Sequence, residues 1–146
     1  MTFVVPFDGS DLAAAALARA GEFRAAFDRP VVAVSVIPKH NYEFAAERAG
    51  LDFEGVPDPE TVASRLESQV HRIAPEAEFR YKIVGKYAPG GKVANELRRA
   101  ARRLDATMVF VGSDNAGHLV NSLSSVGSSV AADTSYDVVI VRHADS

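Results

Sequence analysis

Two turn-forming stretches of this chain follow short apolar runs, and the second has the residue types to handle phosphate. The first is Asp8-Gly9-Ser10, after Phe3-Val4-Val5-Pro6-Phe7, a turn whose Ser10 suits the cap of the helix that follows. The second is Gly112-Ser113-Asp114-Asn115-Ala116-Gly117, which follows Thr107 to Val111 and leads into a hydroxyl-rich segment holding Ser122, Ser124, Ser125, Ser128 and Ser129. Leu123, Val126 and Val130 recur through that segment at helical spacing. A strand that passes through a glycine loop into a helix is how α/β proteins offer backbone N–H groups to phosphate. Asp114 works against that role. At about 5 Å a carboxylate repels one phosphate charge by roughly 1 kcal/mol in water, and by more in a drier site.

Other chemistries lack their residues. Gly85 to Val93 (Gly-Lys-Tyr-Ala-Pro-Gly-Gly-Lys-Val) imitates a P-loop, but it is one residue too long and Val93 stands where a Mg²⁺-binding hydroxyl is required. It reads as a glycine-rich entry to a helix. The chain has no cysteine, which excludes disulfides, thiolate catalysis and cysteine-based metal sites. His40, His71, His118 and His143 share no ligand spacing, so no metal is expected. No serine sits in a nucleophile elbow, and the Gly112 loop has no evident base or metal-binding carboxylate pair. An enzyme is therefore the less favoured class. A net charge of −3 argues against nucleic acid as a partner. The basic helix carrying Lys92, Arg98, Arg99, Arg102 and Arg103 is read as solvent-facing. No apolar run is long enough for a bilayer, and the first ten residues look like a strand rather than a leader. A cytoplasmic protein without membrane contact is expected.

The elements that must position these residues follow from periodicity. Phe3 to Phe7 is a strand, with Pro6 at its end because proline lacks a ladder N–H. Ser10 caps a helix whose apolar residues are Leu12, Ala16, Ala20, Phe23 and Phe27, and Asp28-Arg29-Pro30 stops it. Val31 to Ile37 is a central strand. The connection from Pro38 to Val56 is long for a compact domain and is expected to be a lid, a binding loop or a partly helical excursion, mobile without a ligand. Asp58-Pro59 starts a second helix along Val62, Leu66, Val70 and Ile73. Glu78 to Val84 alternates and should lie near a sheet edge, with one wetter face. Lys92 to Leu104 is the third helix, with Val93, Leu97, Ala101 and Leu104 inward. Thr107 to Val111, a fourth helix, and a last strand around Val138-Val139-Ile140-Val141 complete the chain. Alternation of this kind predicts one α/β domain over residues 1–146, a doubly wound parallel five-stranded sheet with helices on both faces.

Four segments together resemble the universal stress protein family over essentially the whole chain: Val4-Val5-Pro6-Phe7-Asp8-Gly9-Ser10, Val34-Ser35-Val36-Ile37, Val109-Phe110-Val111-Gly112-Ser113, and Val138 to Val141. The resemblance implies strand order 3-2-1-4-5 and a homodimer joined through Val138, Val139, Ile140 and Val141. It also implies an adenine nucleotide contacted by Pro6, Asp8, Val36 and Val111. ATP-binding members share G-x2-G-x9-G-[ST] after the fourth strand, and this chain departs from it. Gly112 fits the first glycine, while Asn115 stands at the second. Ser124-Ser125 take the last positions in the register that keeps a full helix. In the alternative register, Gly117 and Gly127-Ser128 keep the motif spacing but shorten the helix. The favoured expectation is a dimeric regulatory or binding domain whose ATP binding is weak or lost. The alternative is a nucleotide-hydrolysing or nucleotide-switch protein using the Gly112–Gly117 loop as a phosphate cradle. For Asp8, a plain turn-capping role weighs equally with a ligand role.

Overall fold

The computed structural model describes residues 1–38, 58–84, 92–114 and 136–144. The 38–57 connection beyond Pro38, the stretch 85–91 and the serine-rich segment with its expected helix lie outside these residues. Local rules account for the element boundaries. Strand β1 (Thr2–Pro6) ends at its proline. Helix α1 (Asp11–Phe27) begins at Ser10, whose Oγ accepts the Ala13 N–H at 3.2 Å. It ends at Asp28, in the left-handed region at φ 54°. Strand β2 (Val31–Pro38) follows. Helix α2 (Pro59–Ile73) starts from Asp58, whose Oδ1 accepts both the backbone N–H and the hydroxyl of Thr61 at 2.8 Å. Strand β3 (Glu78–Val84), helix α3 (Lys92–Arg103), strand β4 (Ala106–Gly112) and strand β5 (Asp137–Val141) complete the described elements.

The five strands are parallel in the order β3-β2-β1-β4-β5. Alternate side chains of the sheet enter two cores. On one face Phe3, Val5, Ala33 and Phe110 pack against Ala13, Leu17 and Ala20 of α1 and Val62, Leu66 and Val70 of α2. Phe110 is the largest fully buried side chain there and meets Phe3 and Phe23 edge-on, with centroids 5.5 and 5.0 Å away. On the other face Val4, Val32, Val34, Val109 and Val111 pack against Leu97 and Ala101 of α3.

β3 is an edge strand, as its alternation suggests. One detail differs: Phe79 and Ile83 pack on the core, whereas Tyr81 between them is 46% exposed, beside Phe79 at the margin of the sheet. At the opposite edge, the Ser113 N–H donates to the Val141 carbonyl at 2.9 Å. Backbone polar groups alternate sides along a strand, so Val139 and Val141 face β4 while Val138 and Ile140 direct theirs outward.

Candidate functional site

Crossovers leave β1 toward β2 on one side and enter β4 on the other, so the strand order reverses between β1 and β4. In such sheets the crevice at the carboxyl ends of these strands is where ligands bind. The sequence places Phe7-Asp8-Gly9-Ser10 at the end of β1 and Gly112-Ser113-Asp114 at the end of β4.

Phe7 is fixed on both sides of its peptide. Its N–H donates to the Val34 carbonyl at 2.8 Å, and its carbonyl accepts the buried Ser35 hydroxyl. Asp8 follows, with Oδ1 accepting the Ser10 N–H at 2.9 Å across Gly9, whose φ of 83° a side chain would strain. This bond shapes the turn and holds the carboxylate, which is half-buried, at the rim of a small cleft of about 50 Å³. Pro6, Phe7, Asp8, Val34, Val36, Val93 and Leu97 line it.

Three of the residues singled out in the sequence therefore share one cleft: Pro6, Asp8 and Val36. They converge because the parallel register sets Pro6 against Val34, one turn of the pleat before Val36. Val111 is fully buried in the cluster beneath, with Val34, and does not line the cleft. Gly112 is buried and lies against the first turn of α1. A Cβ there would meet Leu12 Cβ at 2.7 Å, Asp114 Oδ1 at 2.9 Å and the Leu12 backbone carbon at 3.1 Å. Asp114 itself is exposed. Asn115, Gly117, Ser124, Ser125, Gly127 and Ser128 lie outside the described residues. Val93 and Leu97 border the cleft without having been read as site residues. Their helical spacing marked them only as core. Among the described residues there is no cluster of three side chains suited to a metal ion, and no helix is long and apolar enough to cross a membrane.

The sequence model of the Universal stress protein family matches residues 1–142. The chain belongs to the universal stress protein family. Solved structures of universal stress proteins share its fold. One, in complex with cAMP, is 25% identical, with 97% of this chain and 96% of that one covered at a TM-score of 0.57. A family protein from Burkholderia pseudomallei is 19% identical over 97% and 96% of the two chains, with a TM-score of 0.57. The universal stress protein from Archaeoglobus fulgidus in complex with dAMP is 17% identical over the same shares, with a TM-score of 0.55. No curated protein matches the chain. Strand order 3-2-1-4-5 and helices on both faces agree with what the resemblance implied for a universal stress protein.

Proposed function

We propose that residues 1–146 form one cytoplasmic regulatory domain that acts by binding, as a homodimer, and holds an adenine nucleotide weakly at the carboxyl ends of β1 and β4. The observation that carries this reading is the meeting of Pro6, Asp8 and Val36 in one cleft at the reversal of strand order. The cAMP complex of a relative whose sequence is 25% identical supports a nucleotide as the ligand class. Asp8, held by its turn, would meet the ribose or base, and the backbone beyond Gly112 would meet phosphate. Weak triphosphate binding follows from sequence: Asp114 brings negative charge to the phosphate end, and Asn115 and Ser124 stand where ATP binders have glycine. β5 supplies the dimer edge in this reading. It is one of the two edge strands of the described sheet, and an uncovered edge is a template for pairing.

Calorimetric titration with ATP and with cAMP, each with and without Mg²⁺, tests the reading. Measurable cAMP binding with ATP much weaker is expected. Asp114→Arg, Asn115→Gly and Ser124→Gly should each tighten ATP by about 1 kcal/mol, roughly fivefold, as one charge-assisted contact or one relieved obstruction would. If Ser124→Gly is inert and Gly127→Ala weakens binding, the register with Gly117 and Gly127-Ser128 applies. Low-micromolar ATP affinity of the unmodified chain would refute the weak-cradle reading. Steady ATP turnover would favour the hydrolase or switch alternative instead.

A further inference from the structure

On the α3 face of the sheet a groove runs between α3 and the edge strand β3. The parallel register sets Val34 beside Arg80 and Val36 beside Lys82. Alternation turns these four toward α3, and the Lys82 ammonium reaches Glu96 of that helix at 3.2 Å. The opposite wall is one helical stripe, Glu96, Ala100 and Arg103, with Leu104 beside it. The groove is open to solvent along one side, with a volume of about 440 Å³, within the range of small-molecule sites.

The groove has an apolar floor and a cationic rim. Among the described residues three cations line it, Arg80, Lys82 and Arg103, against one carboxylate. That carboxylate is internally balanced: Glu96, 2% exposed, is held by Lys82 and by Arg99 at 3.0 Å. It fixes Lys82 at the rim, with Arg99 on the far side of the helix stripe, and its own charge is taken up by that pair. Among the described residues Arg80 is tied to Glu78 alone, two residues away on the exposed strand, at 3.3 Å, and such exposed pairs yield readily to a competing anion. Arg103 has no hydrogen bond or ion pair among the described residues. It also borders an open concavity shared with Arg99 and Arg102. This concentration of positive charge belongs to a chain whose net charge is −3. A flat, fully solvated basic face would need no floor of valines and no buried carboxylate to hold it.

We infer that the groove between β3 and α3 is a second ligand site, for a small organic anion. An apolar or aromatic body would lie on Val34, Val36 and Ala100, and its phosphate or carboxylate would meet Lys82 and Arg103. The site does not depend on the nucleotide reading. It shares Val34 and Val36 with the cleft, but Pro6, Asp8, Val93 and Leu97 border the cleft alone.

Amide-resolved NMR of the full chain, titrated with naphthyl phosphate and separately with inorganic phosphate, tests it. Saturable shifts are expected at Lys82, Ala100 and Leu104, with naphthyl phosphate binding clearly tighter than phosphate alone. Arg103→Gln should weaken naphthyl phosphate by about five- to tenfold, the loss expected for one charge-assisted contact. Its folding, followed by circular dichroism, should not change, because the side chain holds no partner among the described residues. Asp8→Asn should leave this affinity unaltered. The inference is overturned if the shifts do not saturate or centre on Asp8, Gly9 and Gly112. It is equally overturned if the two anions bind alike, or if Arg103→Gln binds as the wild type does.

Discussion

Replacing two glycines by alanine should move stability in opposite directions, and the structure sets both magnitudes. At Gly112 the new Cβ would stand 2.7 Å from Leu12 Cβ and 3.1 Å from the Leu12 backbone carbon. Carbon atoms normally rest about 3.5–4.0 Å apart. The nearby Asp114 Oδ1, at 2.9 Å, is the end of an exposed side chain and can swing away. Leu12 cannot. It is the second residue of α1, and the Ser10 cap and the Asp8 turn fix the helix start on either side of Gly9. Relief therefore requires β4 and α1 to separate by several tenths of an ångström, disturbing packing around Phe110. Overpacking of this kind costs about 1–3 kcal/mol, and for a chain of this size that lowers Tm by roughly 3–10 °C. Gly21 lies inside α1, and a Cβ there meets nothing within 4 Å. Gly21→Ala should stabilise by about 0.5–1 kcal/mol through helix propensity, raising Tm by roughly 2–3 °C. Thermal melts followed by circular dichroism, without nucleotide and at one protein concentration, read both. If Gly112→Ala melts with the wild type, the close approach of β4 to α1 is not what requires glycine there. If both variants shift the same way, the geometric argument fails altogether.

Three further outcomes are expected. Ile140→Pro should yield a folded monomer by light scattering, because its N–H faces away from β4, whereas Val139→Pro should damage the β4–β5 ladder and lower Tm; a dimeric Ile140→Pro protein would exclude pairing through this edge. Hydrogen bonds from the Thr61 backbone N–H, and secondarily from its hydroxyl, hold the Asp58 carboxyl below the usual carboxylate range. A depressed pKa makes the contribution complete above the ordinary value and lost as pH falls through the lowered one, so Asp58→Ala should lower Tm at neutral pH and converge with the wild type in strong acid; a Tm difference independent of pH would contradict it. Phe110→Ala, which empties a fully buried site against Phe3 and Phe23, should cost about 3–5 kcal/mol in urea unfolding, and a loss below about 1 kcal/mol would show that the sheet closes over the cavity.

The parts of this fold that were legible in the sequence are those governed by local chemistry. Ser10 and Asp58-Pro59 announce helix starts because their oxygens can take orphan N–H groups, and both do. Glu78 to Val84 is bounded as expected, since Pro75 stops the preceding helix and charged residues alternate with apolar ones. Properties that depend on what lies across the sheet were not legible. Tyr81 shares its strand parity with Phe79 and Ile83, yet cover runs out at the margin of the sheet and leaves it exposed. Glu96 sits on a helix rich in arginine, which suggests solvent, and is buried because β3 brings Lys82 over it. The outward direction of Ile140, rather than Val139, depends on the register with β4, which no spacing within β5 encodes.

Asp8 shows why a site residue is harder to read than a core residue. In the sequence, a turn-capping aspartate and a ligand-facing aspartate look the same, because both need a short carboxylate before glycine. The geometry makes them compatible. The Ser10 N–H on Oδ1 closes the turn at Gly9, and that same bond keeps the carboxylate at the cleft that Pro6 and Val36 also line. A side chain held in place before a ligand arrives loses little rotamer freedom on binding. Asp8→Asn should therefore preserve the turn, since an amide oxygen can accept the same N–H, while removing the charge presented to a ligand. Unchanged melting with weakened cAMP binding would assign both roles to this residue. Unchanged cAMP binding, measured by the same calorimetry, would leave it the turn alone.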